Sequence, residues 1–499
     1  MATPPATARP PDIFVVVLDT VRKDFLSGGT SPAPGQAFLD RLRQQCFTHD
    51  RAVAPAPWTA PTHASLLTGV PPWEHQVHLK GKRALSPSQD TLAETLRGLG
   101  YRTASFAANS YIGPSTGMQR GFEQWCTGGK HDWTFRGFPG PPTFASASRP
   151  RGLLGGPRGP SRLLYYSMHE PIWTYLGRWP TAADRLVRLT RSRRPGPDGL
   201  KVSGWIDDEL GFWLEGIPAR EPVFVFLNYM EAHEPYFGVL PDRPNPPGPP
   251  RGSAIRQDSR GWASGRWVPS DEQLDNLRRA YATTFEVLDR RISDLVEMLQ
   301  TTGRWENSLF LLTSDHGQAL GEGGMLYHAI QTSEPLVRVP LWIRPPPGGE
   351  VALSPKSWFS LTSLRSAIEG MVQGARAGET PTLGAAPAAD AAPPSVLTIA
   401  DGVGGQIRPH VPTPRLTSLE RLMVTGYLGS TKLSFDLASN SCSLVDLERD
   451  PAGRNPTPVV PTGELEPLYR QLVDVAQRAF GHAPPPGDAV EKRLAGWGY

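Results

Sequence analysis

Five short apolar runs punctuate the chain: Ile13 to Leu18, Thr103 to Ala107, Val223 to Leu227, Leu309 to Thr313 and Val339 to Ile343. Taken together they are rich in Val, Ile, Leu and Phe on both faces, and they read as strands buried on both sides. Between them lie stretches with helical spacing. Thr91 to Leu99 is one, and Asp271 to Thr301 is the clearest, with Leu274, Leu277, Tyr281, Phe285, Leu288, Ile292, Leu295 and Leu299 recurring every three or four residues as a single stripe. Alternation of buried strands with amphipathic helices predicts an α/β fold, a large mostly parallel sheet sandwiched by helices.

The pattern breaks in two places. Residues 128 to 204 are dense in Gly, Pro and Arg with scattered aromatics, which reads as an insertion within the main domain. After Ile343 comes RPPPGG and then an Ala/Pro stretch from Gly374 to Ser395. These shifts predict a domain over residues 11–345, preceded by a disordered tail over 1–10 and followed by a smaller C-terminal α+β subdomain over 346–499, with a hairpin around Leu422 to Leu437.

Composition narrows the function. At 499 residues the chain has room for a large domain and an appendage. The 51 basic and 48 acidic residues leave a formal net charge of +3, so no global field marks a nucleic-acid or membrane partner. Three cysteines, Cys46, Cys126 and Cys442, are too few and scattered for a disulfide framework or a cysteine metal site. The start, MATPPATARPPDIF, has no charged-then-apolar leader, and no run nears the ~18 apolar residues of a bilayer span. The expectation is a soluble cytoplasmic protein.

Polar residues follow the strands at the end where an open α/β sheet places its ligands. The first strand ends in Asp19-Thr20, and Asp19 suits a divalent cation as well as a turn. The fourth ends in TSDHG, where Asp315 and His316 pair a carboxylate with an imidazole, a set fitting Mn, Zn or Mg. In APAPWTAPTHASLLTG, Pro61 is suited to open a helix with Thr59 just before it. There Thr59 is either a cap or a hydroxyl whose pKa is lowered by the helix dipole and a nearby cation, and so a nucleophile. The third strand runs into LNYMEAHEPY, which sets His233 to assist at ester oxygens or to bind a second metal with Glu231. His328, in GGMLYHA, is a candidate proton donor to a leaving group or an ordinary loop residue.

Together and in order, PDIFVVVLDT, FLDRL, WTAPTHASLLTG, GYRTASF, LNYMEAHEPY, TSDHG, GEGGMLYH, LVRVPLWI and SLVDLERDPAGRNP resemble the sulfatase family of the alkaline phosphatase superfamily. The resemblance covers most of residues 11–127 and 222–346. It implies an alkaline phosphatase-like fold, and one divalent ion (Ca, Mn, Mg or Zn) held by Asp19, Asp315 and His316 with Thr59 as both ligand and nucleophile, with room for a second ion. His233 and His328 would meet the substrate's charged oxygens, His328 standing where many sulfatases carry lysine, and His63, Asn109 and Glu231 would complete the substrate site.

Three departures bear on the reaction. Where sulfatases usually show Cys or Ser in Cys-x-Pro-x-Arg, this chain has Thr59-Ala60-Pro61-Thr62-His63, and threonine cannot become formylglycine. The usual lysine and histidine after the GYRT strand are replaced by Ala107, Ala108, Asn109 and Ser110, and the acidic pair after the first strand has become Asp19-Thr20. A sulfated threonine lacks the second hydroxyl that expels sulfate by elimination, whereas a phosphorylated threonine is cleared by in-line attack at phosphorus. The expectation is therefore a hydrolase for a small anionic sulfate or phosphate-type ester (phosphomonoester, phosphodiester or phosphonate), leaning toward phosphorus. A soluble transferase using the same Thr59 intermediate, or a non-catalytic anion-binding relative, are the alternatives.

Overall fold

The computed structural model describes residues 9–78, 84–127, 134–136, 204–234, 236, 257–384, 396–402, 411–412, 419 and 421–481, all within one compact unit. The expected tail over 1–10 lies almost wholly outside these residues, as does nearly all of the expected insertion over 128–204.

Eight strands form the main sheet: β1 (Asp12–Leu18), β2 (Phe47–Thr48), β3 (Arg102–Ala107), β4 (Gln124–Thr127), β5 (Thr134–Arg136), β6 (Val223–Tyr229), β7 (Ser308–Thr313) and β8 (Leu341–Arg344). Their spatial order is β2-β8-β7-β1-β6-β3-β4-β5. β1 lies at the centre, parallel to β6 and to β7, and the parallel run continues through β3 to β4. β8 and β5 are antiparallel additions at the two sides. The fifth apolar run therefore becomes a strand at Leu341 and not at Val339, because Pro340 has no N–H to give a ladder.

Every residue of β1 is buried, and alternation sends its side chains into two cores. Phe14, Val16 and Leu18 pack with the helix face of Tyr281, Phe285, Leu288 and Ile292, while Ile13, Val15 and Val17 share a core with Trp58, Leu66 and Leu67. The helices that cover the sheet are α1 (Thr59–Thr68), α2 (Leu92–Gly98), α3 (Gly204–Glu215), α4 (Asp271–Thr301) and α5 (Leu364–Ala377). α4 keeps the boundaries expected from its stripe, and Ser270 with Gln273 closes its N-terminus in a capping box. Leu274, at the first turn of the stripe, is only half-buried.

The chain does not leave the core after residue 346. Leu361, Leu364, Ile368, Met371 and Val372 join Leu66 and Leu67 in the second core. A separate five-stranded antiparallel sheet then follows in sequence order, β9 (Val396–Ala400), β10 (Met423–Leu428), β11 (Thr431–Asp436), β12 (Ser441–Asp446) and β13 (Thr457–Val459). The expected hairpin is β10 and β11, and α6 (Glu466–Phe480) buries one face of this sheet with Leu468, Leu472 and Val475. Among the described residues no helix is long and apolar enough to cross a membrane.

Candidate active site

Asp19 and Asp315 directly follow the paired central strands β1 and β7, or stand one residue beyond, so the sheet itself brings two carboxylates together. Asp19 N–H donates to Tyr229 O at 2.8 Å, tying the residue to the end of β6. Asp315 Oδ1 accepts from its neighbour His316 N–H at 2.9 Å and from Thr20 N–H at 3.2 Å. Thr20 reaches it by adopting φ 59°, a costly conformation for a β-branched residue. Tyr281, from the middle of α4, holds that turn: its hydroxyl donates to Thr20 O and accepts from Arg22 N–H, both at 2.8 Å.

These bonds leave one atom on each group without a hydrogen bond: Asp19 Oδ1, Asp315 Oδ2 and His316 Nε2. All three residues are fully buried, and one ligand atom of each lies within 4.8 Å of the others. His316 Nε2 is 3.3 Å from Asp315 Oδ2 and 3.9 Å from Asp19 Oδ1. His316 Nδ1 must be the protonated nitrogen, because its 2.9 Å partner is the carbonyl of Gly317, so Nε2 offers a lone pair. Burial, and then the charge of Asp19, pushes the Asp315 carboxyl well above its usual range, while burial drives the His316 imidazole well below. Two buried carboxylates facing a neutral imidazole with unused lone pairs are a donor set that fits one divalent cation.

Thr59 is the first residue of α1, capped by the extended backbone of Trp58; the helix opens two residues before Pro61, which sits in the first turn where its missing N–H costs nothing. Asn109, just past β3, donates from Nδ2 to Asp19 Oδ2 at 3.0 Å and to Thr59 Oγ1 at 3.2 Å. A single amide thus links the threonine hydroxyl to the carboxylate floor. His63, one turn on in α1, is fully buried, with Nδ1 2.9 Å from Thr59 O and 3.6 Å from Asp315 Oδ2. Burial lowers its pKa to about 4.

His328 completes a row of imidazoles, its ring centroid 4.7 Å from His316 and 5.1 Å from His233. Its two neighbours, Tyr327 and Ala329, both hold positive φ (68° and 77°). The carboxylate beside His233 and His328 is that of Glu234, whose Oε2 is 3.6 Å and 3.7 Å from their Nδ1 atoms. Glu231 lies instead 3.6 Å from Arg291 Nε of α4. His233, Glu234 and His328 form a second group with ligand atoms within 4.8 Å. Both Nδ1 atoms already sit in hydrogen bonds, to Glu234 O (2.7 Å) and Gln318 Oε1 (2.9 Å), so a cation there would meet the rings through Nε2 or displace those bonds.

The structure therefore gathers Asp19, Thr59, His63, Asn109, Asp315 and His316 in one buried knot, adds His233 and His328 beside it, and turns Glu231 toward α4. Glu234, Gln318, Tyr281 and Thr20 were not singled out for the site by sequence. Glu234 adjoins His233 in HEPY and Gln318 stands two residues past His316 in DHGQ, and that closeness was the available signal.

A family profile described as Sulfatase matches residues 11–357. A choline-sulfatase of Rhizobium meliloti (strain 1021) is 24% identical over an alignment of 400 positions that covers 73% of this chain and 69% of the relative. The multifunctional alkaline phosphatase superfamily protein PehA of Trinickia caryophylli is 25% identical over an alignment of 365 positions that covers 67% of this chain and 68% of that protein. The crystal structure of the phosphonate monoester hydrolase of Agrobacterium radiobacter superposes with a TM-score of 0.57 at 17% identity, covering 94% of this chain and 96% of that one. The mostly parallel sheet between helices, with its smaller C-terminal antiparallel sheet, is the fold expected from sequence.

Proposed function

The chain belongs to the sulfatase family and is a sulfuric or phosphoric ester hydrolase, and from that premise we propose that it cleaves a small anionic phosphate-type ester through a covalent intermediate on Thr59. The observation that carries this reading is the Asn109 amide, which touches both Thr59 Oγ1 and Asp19 Oδ2 and so holds the hydroxyl beside the unsatisfied carboxylates. Asp19, Asp315 and His316 would hold one divalent cation. When bound, such an ion neutralises the two carboxylates, favours the deprotonated form of a hydroxyl in its shell and draws charge from ester oxygens.

The residues of the chain supply the rest. Thr59 enters deprotonated, its proton released to solvent, and its oxygen attacks the central atom in line with the leaving alcohol. Asn109 orients that oxygen. His328, with His233 beside it, takes charge off the departing oxygen by giving it a proton from Nε2. Water then attacks the Thr59 ester, returning the proton to the same nitrogen and freeing Thr59. Phosphorus is favoured over sulfur because nothing in a threonine side chain can expel sulfate by elimination.

The test is a paired assay of aryl sulfate, phosphate monoester, phosphodiester and phosphonate ester with Ca, Mn, Mg and Zn, run beside Thr59→Ala. We expect turnover of one or more phosphorus esters and its loss in the variant. Undiminished activity in Thr59→Ala would remove the threonine from the mechanism, and preference for the aryl sulfate would reverse the choice of ester.

A further inference from the structure

The proton chemistry assigned to His328 requires one ring nitrogen in particular, and the two side chains behind the ring decide which. Gln318 is buried, and its Nε2 donates to Glu234 Oε2 at 2.8 Å. A carboxylate only accepts, which fixes the orientation of the Gln318 amide and turns its Oε1 toward His328. An amide oxygen also only accepts, so the 2.9 Å contact between Gln318 Oε1 and His328 Nδ1 is an N–H donated by the histidine. The chain Glu234–Gln318–His328 therefore has one consistent direction, ending in a ring protonated on Nδ1.

The relay is itself anchored. Gln318 O accepts from Arg22 Nη1 at 3.2 Å, and Arg22 is clamped by Asp24 (2.7 Å) and Glu322 (2.6 Å). Between His316 and Gln318, Gly317 leaves no space for drift, since a Cβ there would lie 1.9 Å from Pro335 O. Glu234 Oε2 is also close to His233 Nδ1, whose proton goes to Glu234 O, so one residue attends both rings.

We propose that Glu234 and Gln318 are positioning residues that hold the Nδ1 proton of His328 on Gln318, so that Nε2 is the nitrogen that gives a proton from the doubly protonated ring to the leaving oxygen of the ester. The inference rests on the role given to His328 above. Before the first step the ring carries a proton on each nitrogen; the Nε2 proton goes to the alcohol oxygen as its bond to the central atom breaks, which leaves the neutral Nδ1–H ring, and the Nε2 lone pair then takes a proton from the water that releases Thr59. Without the relay the ring samples both tautomers and both flips, and the useful one is present only part of the time.

The experiment compares wild type with Gln318→Met, which keeps length but not the amide, and with Glu234→Gln, whose amide oxygen can still accept from Gln318. Steady-state rates are measured on aryl phosphonate and aryl phosphate esters whose phenols run from strongly acidic to weakly acidic. Gln318→Met is expected to lose little on the acidic phenols, which leave without a proton, and about ten-fold or more on the weakly acidic ones, with Glu234→Gln between it and wild type. A loss equal for all leaving groups, or none, overturns the relay. A second readout needs no turnover: side-chain 15N spectra of histidine-labelled protein, with the His328 signals identified by their disappearance in His328→Gln. In the neutral ring, Nδ1–H alone in wild type and a mixture of tautomers in Gln318→Met are expected. A neutral wild-type ring that keeps its proton on Nε2 overturns the proposal even if no ester tested is hydrolysed, an outcome that would by itself count against the hydrolase reading alone.

Discussion

The floor of the site and its rim use the same residue types but are held by different means. On the floor, Asp19, Asp315 and His316 are fully buried, and their positions are set by backbone groups at the ends of adjacent parallel strands. At the rim, His233 and Glu234 are half-buried on the segment leaving β6, and His328 sits between two residues of positive φ, oriented through a side-chain amide. A floor set by the sheet tolerates little change of position; a rim set by side chains can be retuned by single substitutions while the fold stays intact. That difference predicts where damage should be absolute and where it should be graded.

Thr59→Ala should have the largest effect, a fall in kcat/KM of about 10^3-fold or more with folding intact, because the proposed attacking atom would be gone. Intact-mass analysis during turnover should show an adduct on wild type and none on the variant. Asp315→Asn comes next. It should lower activity by about 10^2-fold or more and abolish stoichiometric uptake of a divalent ion measured by dialysis and elemental analysis, since a carboxamide cannot replace the charge that holds the ion. His328→Gln should retain full ion uptake while losing activity, and equal loss of ion in both variants would erase the distinction between floor and rim.

A buried carboxyl that is not among the ligand candidates sharpens the comparison by showing what burial does to an acid. Asp207, in α3, accepts from Tyr229 at 2.6 Å, and burial raises its pKa to about 7 from an ordinary 3.8. Between pH 4 and 7 the folded chain keeps this proton while the unfolded chain has lost it, so stability falls as pH rises through that window and is level above it. Asp207→Asn should remove that slope, gaining on the order of 3 kcal/mol over wild type at pH 8 and little at pH 4, checked by thermal unfolding at both values. Tyr281→Phe should be the mildest: it removes both hydrogen bonds that hold the Thr20 turn, costing about 1–3 kcal/mol and a few-fold in rate. Unaltered activity and stability would mean that the strained turn holds itself.

The strands, the long helix and the order of the motifs were legible because burial on both sheet faces leaves unbroken apolar runs, and because a ligand that follows a central strand has few directions open to it. Asp19 and Asp315 are of this kind. Beyond the strand ends the reading weakened. Whether Glu231 or Glu234 turns toward His233 depends on the backbone path of three residues, and the tautomer of His328 depends on which way one glutamine amide faces. The hydroxyl of Tyr281 was hidden for a different reason: its ring satisfies the apolar stripe so completely that periodicity accounts for the residue, and the bond to Thr20 is invisible from that account. The apolar residues of α5 escaped because a Pro-rich break before them looked like a boundary, although they pack against α1.

Both partners of the central strand lie far downstream of it in sequence. The neighbours of β1 come from residues beyond 222 and 307, and the Thr20 to Asp315 bond spans 295 positions. Until those residues are made, a strand apolar on both faces must be kept from sticking elsewhere, and neither carboxylate has the other to face. Nascent chains stalled before and after residue 316 should therefore differ sharply in protease resistance of the segment around β1 and in their demand for a holding chaperone.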